Sequence, residues 1–334
     1  MTPLHRRAFL AAATSLLAAP FAFAHGSPRL ILPLQGSTSA LPTQPAARRR
    51  VLRCAHLTDI HVQPERGADA GLVQCLKHIA QQQPAPDLLL VGGDTVMDVF
   101  EAKASRAAEL RRLFSDTWSA HCGIPVRHAI GNHDIFGWHR SKSGTTGQEP
   151  DWGKKYATEL FALPGRYYSF DQAGWHFVVL DGVQPKGDSY CAFIDDEQLD
   201  WMRTDLRNRP KGSPVLVLSH IPILSLTAIT YGKPRALERR GEDTTIKAAS
   251  MHTDGDTLHE LFATEGVKLC LSGHQHLLDH CTTDGVTYIC DGAVSGAWWK
   301  GVHQGVPEGY GLIDLFEDGT FEHRYVPYGW VVRG

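Results

Sequence analysis

From Val51 onward the hydrophobic positions fall into two alternating patterns. Short apolar runs read as strands: "VLRCAHLTD" from Val51, "DLLLVGGD" from Asp87, "PVRHAIGNHD" from Pro125, "SPVLVLSH" from Ser213 and "VKLCLSGH" from Val267. The second of these is continuously apolar, as expected of a strand covered on both faces. Between the runs the spacing turns helical. "DAGLVQCLKHIAQQQ" puts Leu72, Leu76 and Ile79 on one face, with Asp69 as the expected cap. Residues 100–118 read as a second helix, and "DDEQLDWMRTDLRN" brings Leu199, Met202 and Leu206 into register. "RYYSFDQAGWHFVVLD" reads as a hairpin. "GVTYIC", "GYGLIDLF" and "TFEHRYV" end the chain as strands, the last two joined at Asp318-Gly319. Helices alternating with strands, then a β-rich end, predict an α/β fold of two sheets covered by helices. There is no internal repeat and no sign of a second domain. Residues 136–152 and 222–252 show no clear period and read as long loops, which in compact domains are often functional.

The first 24 residues break the pattern. A basic pair, Arg6-Arg7, precedes an Ala/Leu-rich run that ends in Ala22-Phe23-Ala24, a small-x-small cleavage site. The run is too short and too alanine-rich for a good membrane span. "RRAFL" resembles a twin-arginine export signal, although His5 stands where Ser or Thr is usual and no Lys follows Leu10. The alternative is an ordinary secretory signal. Both predict export to the periplasm or beyond, the first through the twin-arginine machinery. No cysteine follows the cleavage site, so no lipid anchor is expected. Residues 25–50, rich in Pro, Ser, Thr and Gln, read as a leader or tether, and 51–334 as the folded domain.

Composition narrows the function. A formal charge of −3 over 334 residues excludes a general nucleic-acid binder. The seven cysteines show no CxxC pair, so no zinc ribbon is expected. Cargo that folds in a reducing compartment before export should carry few disulfides.

Polar, metal-type residues recur just after the apolar runs: Asp59-Ile60-His61, Gly93-Asp94, Gly131-Asn132-His133-Asp134, Ser219-His220 and Gly273-His274-Gln275-His276. In α/β sheets ligands gather at the carboxyl ends of strands. In extended chain Asp59 and His61 would point the same way, with Ile60 turned into the core. Gly92 and Gly93 remove bulk around Asp94, whose two oxygens can bridge two ions. Gly273 is expected to make a sharp turn that leaves His274 and His276 facing one cavity. Any one of these clusters is also what a turn or cap uses. The five together, in this order, are not.

The ordered set DIH, GGD, GNHD, SH and GHQH resembles the calcineurin-like metallophosphoesterases, over at least Val51–Trp299. The resemblance implies a two-sheet sandwich flanked by helices, with a dinuclear metal centre. It implies a first ion held by Asp59, His61, Asp94 and His276, and a second by Asp94, Asn132, His220 and His274. His133 becomes the substrate-side histidine, donating a proton to the leaving group. Neutral Asn132 then keeps the centre net positive. Two divalent ions are offset by two aspartates and a bridging hydroxide, the expected nucleophile, so an anionic phosphate is still attracted. Asp134 is left with two roles, orienting His133 or capping backbone amides. Purple acid phosphatases carry a tyrosine three residues after the bridging aspartate; here that residue is Met97, so a tyrosine-bound ferric ion is not expected. Nitrogen and oxygen ligands suit manganese, iron, zinc, cobalt or nickel.

The implied activity is hydrolysis of small phosphate mono- or diesters. A nucleotide or cyclic-nucleotide phosphodiesterase is the narrower alternative, and a phosphate-binding module with a dead site the non-enzymatic one. His139, Arg140 and Lys142, and Lys233, Arg235, Arg239 and Arg240, stand in the two long loops, able either to meet an acidic group or to face solvent. Trp298 and Trp299 either stack on substrate or pack in the core.

Overall fold

A computed structural model describes residues 48–230 and 237–332. The signal and most of the tether lie outside the described residues, as do Lys233 and Arg235 and the side chains of Arg239 and Arg240. The described chain begins β1 (Arg50–Leu57), α1 (Ala68–Ala80), β2 (Leu88–Val91), α2 (Ala104–His121) and β3 (Val126–His128). Two short helices follow, α3 (Arg140–Ser143) and α4 (Lys155–Leu160), then two hairpins, β4 (Tyr168–Gln172) with β5 (Trp175–Val179) and β6 (Val183–Lys186) with β7 (Ser189–Ala192). The middle holds α5 (Asp196–Asn208), β8 (Val215–Leu218), α6 (Thr227–Thr230), and a small hairpin of β9 (Leu237–Arg240) and β10 (Asp243–Ile246). The chain closes with α7 (Gly255–Glu265), β11 (Val267–Ser272), β12 (Asp279–Thr283), β13 (Val286–Cys290), β14 (Gly309–Phe316) and β15 (Phe321–Pro327).

Two sheets dominate. One runs β15-β14-β1-β2-β3, the other β12-β13-β11-β8-β5-β4. Strands β1, β2 and β3 are mutually parallel, as are β13, β11, β8 and β5. Alternate side chains explain why the central strands are apolar throughout. Leu88 and Leu90 face the second sheet, joining Phe177, Leu216, Leu218, Leu269 and Leu271. Leu89 and Val91 face the other way, onto Leu72, Leu76 and Ile79 of α1 and Leu110 and Phe114 of α2. In the second sheet Val215 and Val217 turn outward against Met202 and Leu206 of α5 and Leu258 and Phe262 of α7. The result is four layers, helix, sheet, sheet, helix, with an apolar core between the sheets.

Three local expectations are corrected. Asp69 does not cap α1: the N-cap is Gly67, in the left-handed region at φ 63°, and Asp69 lies in the first turn. Residues 222–252 are not one structureless loop, because α6 and the β9–β10 hairpin form within them. Residues 136–152 contain the single turn α3. Both stretches escape a periodicity reading because their elements span only four residues each. All seven cysteines are free thiols. Among the described residues no helix is long and apolar enough to cross a membrane.

Candidate metal centre

The parallel strands deliver their carboxyl ends to one edge of the sandwich. Asp59 and His61 follow β1, Asp94 follows β2, a 3₁₀ turn of Asn132–Asp134 follows β3, His220 follows β8, and His274 and His276 follow β11. The chain there is not extended. Asp59, His61, Asp94, His274 and His276 all take left-handed φ values, between 47° and 67°. Such conformations cost non-glycine residues of order 1–3 kcal/mol each and persist only where the surroundings over-determine them. Here backbone bonds do so: the amides of Asp59 and His61 donate to the carbonyls of Gly93 and Asp94 at 3.0 and 2.9 Å. Asp59 and His61 thus converge through two left-handed residues, not through strand alternation, while Ile60 is fully buried as expected.

The glycines act by permitting close approach. A Cβ on Gly273 would lie 1.8 Å from Thr58 Oγ1 and 2.4 Å from Asp59 Oδ2. Gly273 itself has no positive φ, so contact between β11 and β1, rather than a sharp turn, is what requires it.

Three groups of ligating atoms converge within 4.8 Å: Asp59, His61 and His276; His61, Asp94 and His133; and Asp94, His220 and His274. In the first, His61 Nε2 and His276 Nε2 are 3.1 Å apart, and Asp59 Oδ1 is 3.2 Å from His276 Nε2. In the last, His220 Nε2 lies 3.2 Å from Asp94 Oδ2, 3.1 Å from Asn132 Oδ1 and 3.3 Å from His274 Nδ1.

The far nitrogen of each ring shows what these atoms face. His220 Nδ1 donates to the Gly92 carbonyl at 2.8 Å, His274 Nε2 to Ala249 at 2.8 Å, and His276 Nδ1 to Gly296 at 2.6 Å. That fixes the tautomer, so each ring, when uncharged, turns a lone pair toward the centre. Asp59 behaves likewise. Its Oδ2 accepts from Thr58 Oγ1 and the His274 amide, leaving Oδ1 buried with no hydrogen-bond donor. Lone pairs thus point at lone pairs and carboxylate oxygens. A proton on His220 can relieve part of this; a cation satisfies every atom together, so the donor set fits metal ions.

Asp94 departs from expectation in detail. Its Oδ1 accepts from the His133 amide at 2.7 Å. Only Oδ2 faces the rings, 3.2 Å from His220 and 3.8 Å from His61. A bridge would therefore use that one oxygen rather than both. Burial works against charge on both aspartates, but His276 beside Asp59 and His220 beside Asp94 hold the carboxyls below their usual range. Burial also opposes charge on His220, and Asp94 outweighs it, raising the ring to about 9.

The His133 ring lies beside Asp94 and His61. Its Nε2 is 3.9 Å from Asp94 Oδ2, its ring meets His61 edge to face at 4.7 Å, and about a fifth of the side chain is exposed. Against its burial, Asp94 and then Asp98 push its pKa up to about 9. Asp134 does not touch it. Oδ1 of Asp134 accepts from the amides of Thr95 and Val96, and Oδ2 from that of Gly131. Asp134 thus takes the capping role, tying the ends of β2 and β3 together. The carboxylate that does face His133 is Asp98, 3.5 Å from Nδ1, an ion-pair distance. No sequence pattern marks Asp98, which follows Asp94 by four residues in a stretch without period.

The two tryptophans divide the alternatives. Trp299 is fully buried and donates to the His61 carbonyl at 3.0 Å. Trp298 is half-buried, its ring 4.4 Å from that of His276, and so walls the centre. Of the loop cations, Lys142 bonds Glu101 and Arg140 lies over the Trp152 ring.

The family model described as calcineurin-like phosphoesterase matches residues 52–278. The chain belongs to this family. Calcineurin-like phosphoesterases hydrolyse phosphoric ester bonds in a metal-dependent way, and the converging donor set accords with that. Among the solved structures that share the fold are three at 14% identity. A dimetal phosphatase from Danio rerio aligns at TM-score 0.57, covering 84% of this chain and 98% of that one. Purple acid phosphatase from yellow lupin seeds aligns at 0.54, covering 83% of this chain and 51% of that one. GAP50, the anchor in the inner membrane complex of Plasmodium, aligns at 0.51, with 84% and 85% covered. No curated protein matches. That an anchor protein shares the phosphoesterase fold shows why chemistry is argued from side chains and not from fold.

Proposed function

We propose that this phosphoesterase hydrolyses small phosphate mono- or diesters at a pair of ions. Asp59, His61, Asp94 and His276 would hold one ion, and Asp94, Asn132, His220 and His274 the other. When bound, the ions supply charge to grip phosphoryl oxygens and acidify a water into a nucleophile near neutral pH. The observation that carries this reading is the set of three rings whose far nitrogens are tied to carbonyls, so that their lone pairs meet Asp59, Asp94 and Asn132.

The chain's own groups do the rest. Neutral Asn132 leaves the centre positive enough to attract an anion. His133, charged and facing outward, is placed to hand a proton from Nε2 to the departing oxygen. Asp98 sits at the other ring nitrogen and keeps the imidazolium stable. Residues 1–24 would direct export to the periplasm by the twin-arginine route, a reading supported by the sequence "HRRAFL" alone.

The test is metal analysis of the purified protein beside a panel of mono-, di- and cyclic phosphate esters. Two ions per chain with turnover is expected, with no tyrosinate-to-iron colour because Met97 holds the tyrosine position. A protein that binds no divalent metal and turns over no ester would end the reading.

A further inference from the structure

A cavity of about 320 Å³ opens beside the metal centre, lined in part by Asn132 and His133. It therefore lies on the side where the leaving group would stand. Phe100 and Tyr190 also line it, meeting edge to face at 5.7 Å and 80° to make an aromatic corner. Tyr190 in turn stands edge-on to His274, with ring centres 6.0 Å apart.

Around this corner stand three carboxylates, Asp98, Glu101 and Asp188. Their side chains are 28%, 38% and 52% exposed, so they face the opening. Among the described residues Lys142 is the one ammonium paired with them, bonded to Glu101 at 2.7 Å. The His139 ring lies 3.9 Å from both Glu101 and Asp188, and Ser141 donates to Asp188. Even with His133 charged, the three carboxylates outnumber it and Lys142, Asp188 has no described Lys or Arg at ion-pair distance, and the two aromatic rings line the same cavity. That is the environment that holds an alkylammonium group, by charge and by cation–π attraction. It is the opposite of what a second phosphate needs.

Resting on the phosphoesterase reading above, we infer that the cavity takes the alcohol portion of the substrate and that this alcohol carries an ammonium group. The substrate class is phosphate esters of amino alcohols. Hydrolysis adds water across the phosphorus–oxygen bond: the new oxygen stays on phosphorus, and the departing oxygen takes a proton to become the amino alcohol's hydroxyl.

The test compares two esters of the same shape on the metal-loaded enzyme, 2-(trimethylammonio)ethyl phosphate and its uncharged counterpart 3,3-dimethylbutyl phosphate. The charged ester should have a kcat/KM about tenfold higher, the size of one good cation–π contact reinforced by charge. Asp188→Asn and Glu101→Gln should each lower that ratio several-fold. A ratio of one or less, or a ratio that neither substitution moves, overturns the inference. Nitrophenyl phosphate, assayed in parallel, separates the two levels. Its turnover with a ratio of one sinks the ammonium site and leaves the phosphoesterase. If it is not turned over, binding decides: choline should bind the protein saturably by NMR, and less tightly to Asp188→Asn, whereas no binding overturns the site independently of catalysis.

Discussion

Gly131 and Asp94 are in contact that leaves no room for a side chain. A Cβ on Gly131 would lie 2.1 Å from the Asp94 amide nitrogen and 2.2 Å from Oδ1. The backbone at Gly131, φ −92°, suits any residue, so the constraint is steric alone. Gly131→Ala must push apart the ends of β2 and β3, displacing Asp94 from both ligand groups. Overpacking of this kind costs about 1–3 kcal/mol. The variant should melt earlier and hold fewer than two ions. Unchanged metal content would show that Asp94 does not depend on this contact.

Asp134 should behave as a structural cap. An Asn there has one acceptor oxygen and would turn its NH₂ toward backbone donors on one side. The lost bonds are worth about 1–3 kcal/mol. Asp134→Asn is expected to lower Tm and loosen the turn that carries Asn132 and His133. A wild-type Tm with only the proton-transfer step impaired would restore the orienting role instead.

His133→Ala should keep the bound metal and lose most activity on esters with poor leaving groups. A nitrophenolate departs without a proton, whereas an alkoxide does not. The alkyl ester should therefore fall by up to roughly 10²–10⁴-fold and the nitrophenyl ester by much less. The ring's pKa is raised above its ordinary 6.5, so its charged form is lost as pH rises through the higher value. Rate should decline on the alkaline side in the wild type, and that limb should flatten in the variant. Equal losses on both esters would point to an electrostatic role, and loss of an ion would make His133 a ligand.

Behind the centre, buried Asp291 bonds His56 Nδ1 at 2.7 Å and His323 Nε2 at 2.9 Å. Burial would raise the Asp291 carboxyl, yet His323 and then His56 hold it below its ordinary 3.8; its contribution is present above that value and lost as pH falls through the depressed one. Burial would lower His323, but Asp291 raises it above 6.5; its contribution is present below 6.5 and lost as pH rises through the raised value. Stability from the pair should thus peak between 3.8 and 6.5. Asp291→Asn should cost roughly 3 kcal/mol within that window and flatten the fall of Tm on either side of it, below 3.8 and above 6.5. A profile parallel to the wild type's would refute the linkage.

Changing Arg6 and Arg7 to lysines tests the route of export. Precursor should accumulate in the cytoplasm if the twin-arginine machinery reads the pair. Normal export of the double variant would leave an ordinary secretory signal.

The central strands and main helices were legible because burial on two faces imposes long, unbroken patterns, as in "DLLLVGGD" with its alternate leucines on opposite faces. The residues that gather at the centre were legible because strand ends concentrate polar chemistry after apolar runs. What escaped was local conformation. Asp59 and His61 look like strand alternation in sequence, but both are left-handed, held by backbone bonds to Gly93 and Asp94 that no residue type announces.

The sequence by itself determined the layered α/β architecture, the ordered set of carboxylates, imidazoles and one amide, and through them the family. These depend on hydrophobic period and side-chain type, which are written residue by residue. Only the tertiary structure decided which oxygen of Asp94 faces the rings, that Asp134 caps and Asp98 faces His133, and that Trp298 walls the centre while Trp299 is core. It also decided the tautomers, because the carbonyls of Gly92, Ala249 and Gly296 lock the rings. Those outcomes turn on distances of a few tenths of an ångström between segments far apart in the chain. Such distances follow from how the two sheets pack, and no local pattern encodes them.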